Sequence, residues 1–232
     1  MKELSRLHSS SAILAALLLA LCVACSSVAQ AKVTGADIYE KTVKSTPLYA
    51  DPELEAYIKT LGEEIVAVSE MAGKKFTFTL LDDEALNAFA TRDNYIYVNR
   101  GLLNYVSNEA QLVSVLAHEV GHVTRGHVTG QEERMTGAKI LSTLAAVLSN
   151  SNEVYEATMA YANSMIQSHG RRNELEADET GAEYMAKLGY DPTEMLSMLS
   201  IMKDNESSQK KRAQGQGVSK PTYHGVFSSH PR

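Results

Sequence analysis

Cysteine is nearly missing from this chain: of 232 residues only Cys22 and Cys25 carry a thiol, and both lie close to the amino terminus. No disulfide can brace the remainder, so stability in an oxidising compartment has to come from core packing and from any bound metal. Basic clusters are scarce as well. Apart from Lys210-Lys211-Arg212 there is none, and 22 Lys and Arg against 28 Asp and Glu leave a net charge of -6, which excludes nucleic acid as a partner. Long apolar runs are also absent: Ala12 to Ala24 and Met135 to Leu148 both fall short of the roughly 20 residues a membrane span needs. What is left is ordinary in composition, 44% hydrophobic and 22% charged, and long enough for one domain with a sizeable core.

The first apolar run reads as part of an exported leader, because Lys2 and Arg6 precede it and small residues follow. Two processing sites compete. Ala29-Gln30-Ala31 fits an ordinary signal peptidase and gives a signal peptide over 1–31, with the mature domain over 32–232. Val23-Ala24-Cys25-Ser26 is similar to a bacterial lipobox, ending the leader at Ala24 and making Cys25 the lipidated first residue, although Cys22 stands where a leucine is more usual. The lipoprotein reading is preferred, and it implies association with the outer membrane through Cys25.

Chemistry concentrates in Leu112 to His127, LVSVLAHEVGHVTRGH, which holds His118, Glu119 and His122 in the spacing H-E-x-x-H. Residues four apart on a helix stand one above the other, so the two imidazoles can address one metal ion. Glu119 is turned about 100° round the axis, where it can reach a water at that metal as general base. The pattern lies in an apolar run, Leu112, Val113, Val115, Leu116, Ala117, Val120 and Val123, with a helix start at Ser107 or Asn108. Two histidines and a glutamate among valines are costly unless something satisfies them, and a divalent metal does.

Elsewhere the chain alternates helix and strand signals. A short helix is expected over 36–44, then a packing helix capped by Asp51-Pro52, with Leu54, Ile58, Leu61, Ile65 and Val68 on one stripe and Gly73 closing it. Phe76, Phe78 and Leu80 alternate with threonines as a strand, and Tyr95 to Val98 reads as another after a turn at Asp93-Asn94. Between them Leu86 to Ala90 reads as an edge strand able to pair with an extended peptide. Met135 to Leu148 is expected to be a buried helix, with a membrane-surface or subunit contact as the minority reading, and Glu153 to Gln167 a further helix. Asp204 to Lys220 is expected to be a mobile loop.

A hydrolytic zinc takes three protein ligands and water, so one more ligand is required. Arg172 to Asp178, on a probable helix running to Leu188, offers three carboxylates. Glu176 shares a polar stripe with Thr180, Glu183 and Lys187 and reads as solvated. Glu174 shares an inward stripe with Asp178, Gly181 and Met185, and Gly181 would let another helix approach closely. Glu174 is therefore the expected third ligand, and Asp178 the group that accepts a hydrogen bond from a ligating imidazole. His127, His169 and His224 are read only as surface or hydrogen-bonded histidines.

HEVGH at 118–122 and ELEAD at 174–178, with NAFA at 87–90, YIYVNRGLL at 95–103 and GAEYMAKLGYDP at 181–192, resemble the HtpX-like zinc metallopeptidases, family 48 of the metallopeptidases. The resemblance covers roughly Asp37 to Arg232 and fits the family's soluble periplasmic branch, whose members act on outer-membrane proteins. It implies an α+β, mostly helical zincin-type domain with a small sheet whose edge strand flanks the active-site helix. It also implies one zinc per chain on His118, His122 and Glu174, Glu119 as base, and Asn87, Ala88, Phe89 and Ala90 lining the substrate groove. Thr91-Arg92-Asp93-Asn94 replaces the glycine-rich turn usual in the family. Family members continue past the Ser-His-Pro segment, here Ser229-His230-Pro231, to a downstream arginine and a closing element, so the sequence reads as cut short at Arg232.

The function these features imply is a zinc endopeptidase of the bacterial periplasm that cleaves unfolded or misassembled proteins. Tyr223, His224 and His230 are candidate oxyanion donors by residue type. His230 is also a candidate fourth ligand, holding the enzyme inactive from a mobile segment or completing a structural zinc site. The alternative reading is a zinc-containing chaperone for unfolded outer-membrane proteins with little proteolysis.

Overall fold

The computed structural model describes residues 33–215. The leader and its two processing sites, residues 216–220 of the expected loop, Tyr223, His224 and His230 lie outside the described residues.

Helix α1 runs over Gly35–Ser45 and α2 over Pro52–Ala67. Asp51 caps α2 by accepting from the Leu54 amide (3.0 Å), while Pro52 fills a position whose N–H would have no partner. Ile58, Leu61 and Ile65 are buried, and Leu54 and Val68 pack partly against them. The helix stops at Ala67, earlier than the sequence suggests. Ser69 Oγ donates to the Val66 carbonyl (2.8 Å) and accepts from the Met71 amide (3.1 Å), a local pattern that competes with another helical turn. Gly73, with φ of +80°, serves the turn that follows.

Three strands follow: β1 Thr77–Leu81, β2 Ala88–Thr91 and β3 Tyr95–Asn99, in the order β1-β3-β2. β3 is central, parallel to β1 and antiparallel to β2. Its register puts Ile96 between Phe78 and Ala90, and Val98 between Leu80 and Ala88, on the face that joins the helical core. Tyr97 falls beside Phe89 on the opposite face, stacked at 4.8 Å, with Tyr39 of α1 near both Tyr95 and Tyr97. Between β2 and β3, Asp93 (φ +59°) and Asn94 (φ +64°) adopt the left-handed conformation. These two short polar residues tolerate it better than most, so they do the work of the glycines that the family usually places there.

The short helix α3, Arg100–Leu103, leads to α4, Glu109–Thr124, which is buried from Gln111 to His122. Next come α5 (His127–Ser149), α6 (Asn152–Lys187) and α7 (Thr193–Gly215). α4 is central, packed by α2, α6, α7 and β2. The architecture is α+β and mostly helical, with the small sheet's edge strand β2 beside α4.

Three further expectations change. The segments read as separate helices around residue 170 form one helix, because no proline interrupts α6. Residues 204–215, expected as a loop, extend α7; the stretch lacks proline and holds no glycine before Gly215, the last described residue. α5 is not a buried helix. Only His127, Ala138 and Ser142 are buried along it, and Ile140, Leu141, Leu144, Val147 and Leu148 are exposed, Leu148 by 73%. α5 packs chiefly on α6, which can cover one side of it and no more. No helix among the described residues is long and apolar enough to cross a membrane.

Candidate metal centre

The start of α4 is well determined. Asn108 accepts from the Gln111 amide (2.9 Å), and the Gln111 side chain reaches back to accept from the Ser107 amide (2.9 Å). Two otherwise orphaned donors are thereby satisfied. This cap and the packing on all sides hold His118, Glu119 and His122 in the interior, each under 10% exposed.

Glu174, 4% exposed on α6, completes the group. His118 Nε2 lies 3.0 Å from His122 Nε2 and 3.5 Å from Glu174 Oε2, and His122 Nε2 lies 3.4 Å from Glu174 Oε1. Tetrahedral zinc with bonds of 2.0–2.2 Å separates its ligand atoms by about 3.3–3.6 Å. Both histidine–glutamate spacings fall in that range, and the two imidazole nitrogens, at 3.0 Å, need only a few tenths of an ångström to share one zinc ion. The donor chemistry agrees: a neutral His118 that donates from Nδ1 to Asp178 Oδ1 (2.9 Å) turns the Nε2 lone pair inward, toward a second imidazole and a carboxylate. Among the described residues this is the one group of three such side chains whose donor atoms all come within 4.8 Å of one another.

Glu119 is not among the converging donors. With His118 and Asp178 it lines a cavity of about 30 Å³, bordered by Ala88, Ser114, Val115 and, from α7, Met195, Met198, Leu199 and Met202. A water needs about 10–15 Å³, so one fits beside the carboxylate. Of the residues expected to line a groove, Ala88 borders this cavity. Ala90 packs partly against the core, Phe89 stacks on Tyr97 across the sheet, and the Asn87 carbonyl accepts from the Asn99 amide (3.0 Å).

Two residues have a larger part here than their sequence reading gives them: His127, read as a surface or hydrogen-bonded histidine, and Glu176, read as solvated. Gly126 (φ +70°) breaks the path between α4 and α5 and turns His127 back toward the centre. His127 is buried, its Nδ1 3.1 Å from His122 Nδ1 and its Nε2 3.2 Å from Glu176 Oε2. Burial holds its imidazole below the usual histidine pKa, against the opposing pull of Glu176. Glu176 is half exposed, but it is no idle surface charge, and Thr180 on the stripe read as solvated is buried and accepts from Arg125 Nε (2.9 Å). The only sequence signal was a histidine five residues after His122.

Further out, Tyr184 donates to Glu70 and lies 2.9 Å from Thr124 Oγ1, tying α6 to the end of α4. Burial, then the bond to Glu70, pushes the Tyr184 phenol up to about 12, and the same bond lowers the Glu70 carboxyl.

Glycine makes the α4–α6 crossing close enough for this geometry. A Cβ on Gly181 would stand 3.0 Å from the His118 amide nitrogen and 3.1 Å from the Ala117 carbonyl carbon, and one on Gly121 would stand 3.0 Å from the Ala177 carbonyl oxygen. Gly181→Ala is expected to destabilise the protein by about 1–3 kcal/mol, because backbone rather than a mobile side chain must yield. Urea unfolding measures this, and a midpoint equal to wild type would mean that α6 shifts freely.

The profile described as Peptidase family M48 matches residues 52–232. A beta-barrel assembly-enhancing protease of Yersinia pestis is 33% identical over 205 residues, covering 84% of this chain and 40% of the relative. The protein of that name in Escherichia coli K12 is 30% identical over 178 residues, covering 72% of this chain and 37% of its own length. The mitochondrial metalloendopeptidase OMA1 of Arabidopsis thaliana is 31% identical over 132 residues, 54% of this chain and 25% of the relative. The chain thus spans about two fifths of the length of the bacterial relatives it matches.

Proposed function

The chain belongs to peptidase family M48, and from that premise we propose that it is a zinc-dependent endopeptidase of the bacterial cell envelope, cutting unfolded or misassembled proteins. The observation that carries the reading is the convergence of His118, His122 and Glu174 with Glu119 buried alongside. His118 Nε2, His122 Nε2 and a Glu174 oxygen would hold the ion. Zinc bound there supplies Lewis acidity, bringing the pKa of water toward neutrality and polarising a substrate carbonyl.

The remaining work falls to the chain's own residues. Asp178 keeps the His118 ring in the tautomer that presents Nε2. Glu119 takes a proton from the attacking water as its oxygen bonds to the carbonyl carbon, then passes that proton to the amine nitrogen as the C–N bond breaks. The apolar walls supplied by Val115, Met195, Met198 and Met202 lower the local dielectric around these groups, which strengthens each of these interactions. β2, at the sheet edge beside the cavity, offers a backbone for an extended substrate to pair with. A bare chaperone would have no use for a carboxylate buried beside a water-sized cavity, so the enzyme reading is favoured over that alternative.

Substrate class and location rest on the relatives' names and on the leader. Relatives called beta-barrel assembly-enhancing proteases support polypeptides of the outer membrane as substrates, and the lipobox supports anchoring through Cys25. The test is cleavage of unfolded casein. The chain is expected to cut it, to lose all cutting after removal of zinc by a chelator, and to recover it with one equivalent of zinc. Cleavage that survives complete zinc removal would contradict the proposal.

A further inference from the structure

The two imidazoles at the metal centre are not held in the same way. His118 leans directly on a carboxylate, Asp178, at 2.9 Å. His122 leans on another imidazole. If His122 presents Nε2 to the donor cluster, its Nδ1 must carry the proton, and the atom 3.1 Å away is His127 Nδ1, which can only accept it. His127 then carries its own proton on Nε2, aimed at Glu176 Oε2 at 3.2 Å. Each step fixes the next. The rings of His122 and His127 meet edge to face, 73° apart, with centroids 5.1 Å from one another, so the contact is directional as well as short.

We propose that His127 and Glu176 form a relay that positions His122, an imidazole-lengthened version of the direct carboxylate hold on His118. The inference deepens the zinc reading above and rests on it. It gives a part to every carboxylate of Glu174-Leu175-Glu176-Ala177-Asp178: Glu174 to the ion, Asp178 to His118, and Glu176 through His127 to His122. Arg125 steadies the outer end, with Nε 4.0 Å from Glu176 Oε1 and bonded to Thr180. His127 touches no reacting atom and is a positioning residue. Gly126, in its left-handed conformation at the start of α5, is what brings it there.

The test is zinc affinity of the full chain, by chelator competition, with the thermal midpoint of each metal-free variant recorded. Partners behind metal ligands are worth about 10–100-fold in affinity. His127→Phe keeps an aromatic ring but removes the acceptor, and is expected to weaken zinc binding by about that factor. His127→Asn restores an acceptor oxygen near the Nδ1 position and is expected to recover affinity to within about threefold of wild type. A role in packing alone would not produce that recovery. Wild-type affinity in H127F, or a loss in H127N as large as in H127F, would overturn the relay. Should H127F fail to fold, Glu176→Ala decides, since its side chain is half exposed: a several-fold loss of affinity supports the relay and an unchanged value overturns it. Failure of the hydrolytic reading is separable, because a wild type that binds zinc but cuts no peptide leaves the affinity comparison intact. A wild type without a zinc site overturns both.

Discussion

Glu119→Gln is expected to slow peptide cleavage by roughly 10²–10⁴-fold, the usual worth of general acid–base catalysis, while zinc content stays at one per chain. The reasoning is geometric. Glu119 is 2% exposed on the same helical turn as His118, yet it is not one of the three converging donors. Its loss should leave the ion in place. Glutamine has nearly the same shape, so the cavity wall is preserved, but an amide cannot take a proton from water at neutral pH. A neutral amide is also less costly to bury than a carboxylate, so the variant should be at least as stable as wild type. Casein cleavage, zinc content and thermal midpoint of the two proteins check all three points. A variant that cuts at the wild-type rate would remove Glu119 from the mechanism.

Glu174→Ala is expected to fail in the opposite way, through the metal. Two imidazoles on one helix remain, but the carboxylate that supplies both the third ligand atom and the compensating negative charge is gone. Outer-sphere partners alone are worth about 10–100-fold in metal affinity, so loss of a ligand should cost roughly 100-fold or more. Activity should fall with zinc occupancy and return in part when zinc is raised. That rescue separates E174A from E119Q, which extra zinc cannot help. Equal zinc affinity in E174A and wild type would place the third ligand elsewhere.

The centre was legible in the sequence where its geometry is local. His118 and His122 are four residues apart on one helix, and their alignment follows from helical pitch alone. Glu174 stands out in the sequence because its stripe, with Asp178, Gly181 and Met185, is the one that can face inward, and the structure brings it to within 3.5 Å of both histidines. The sheet followed the same logic, since alternation marks strands and Asp93-Asn94 marks their turn. His127 reads in the sequence as no more than a surface or hydrogen-bonded histidine; it is hydrogen-bonded, and its place beside His122 is hidden for a physical reason. An unbroken helix would set it about 140° round the axis from His122, and only the left-handed turn at Gly126 returns it to the centre. Glu176 is exposed, as its polar stripe implies, but an argument confined to α6 cannot show that His127, at the start of α5, lies 3.2 Å from it. The exposed apolar face of α5 is a related case: composition indicates that a helix is apolar, and the neighbours available decide whether it is covered.

The central claim is that His118, His122 and Glu174 hold one zinc ion beside Glu119, open to substrate. Anomalous diffraction at the zinc edge from crystals of the zinc-loaded Glu119→Gln protein, soaked with an unfolded-substrate peptide, tests it most directly. The account predicts a single zinc peak about 2.0–2.2 Å from His118 Nε2, His122 Nε2 and a Glu174 oxygen, with the peptide carbonyl at the mouth of the cavity bordered by Ala88. A zinc peak away from these three side chains, or one enclosed by four protein ligands with the peptide excluded, would contradict it.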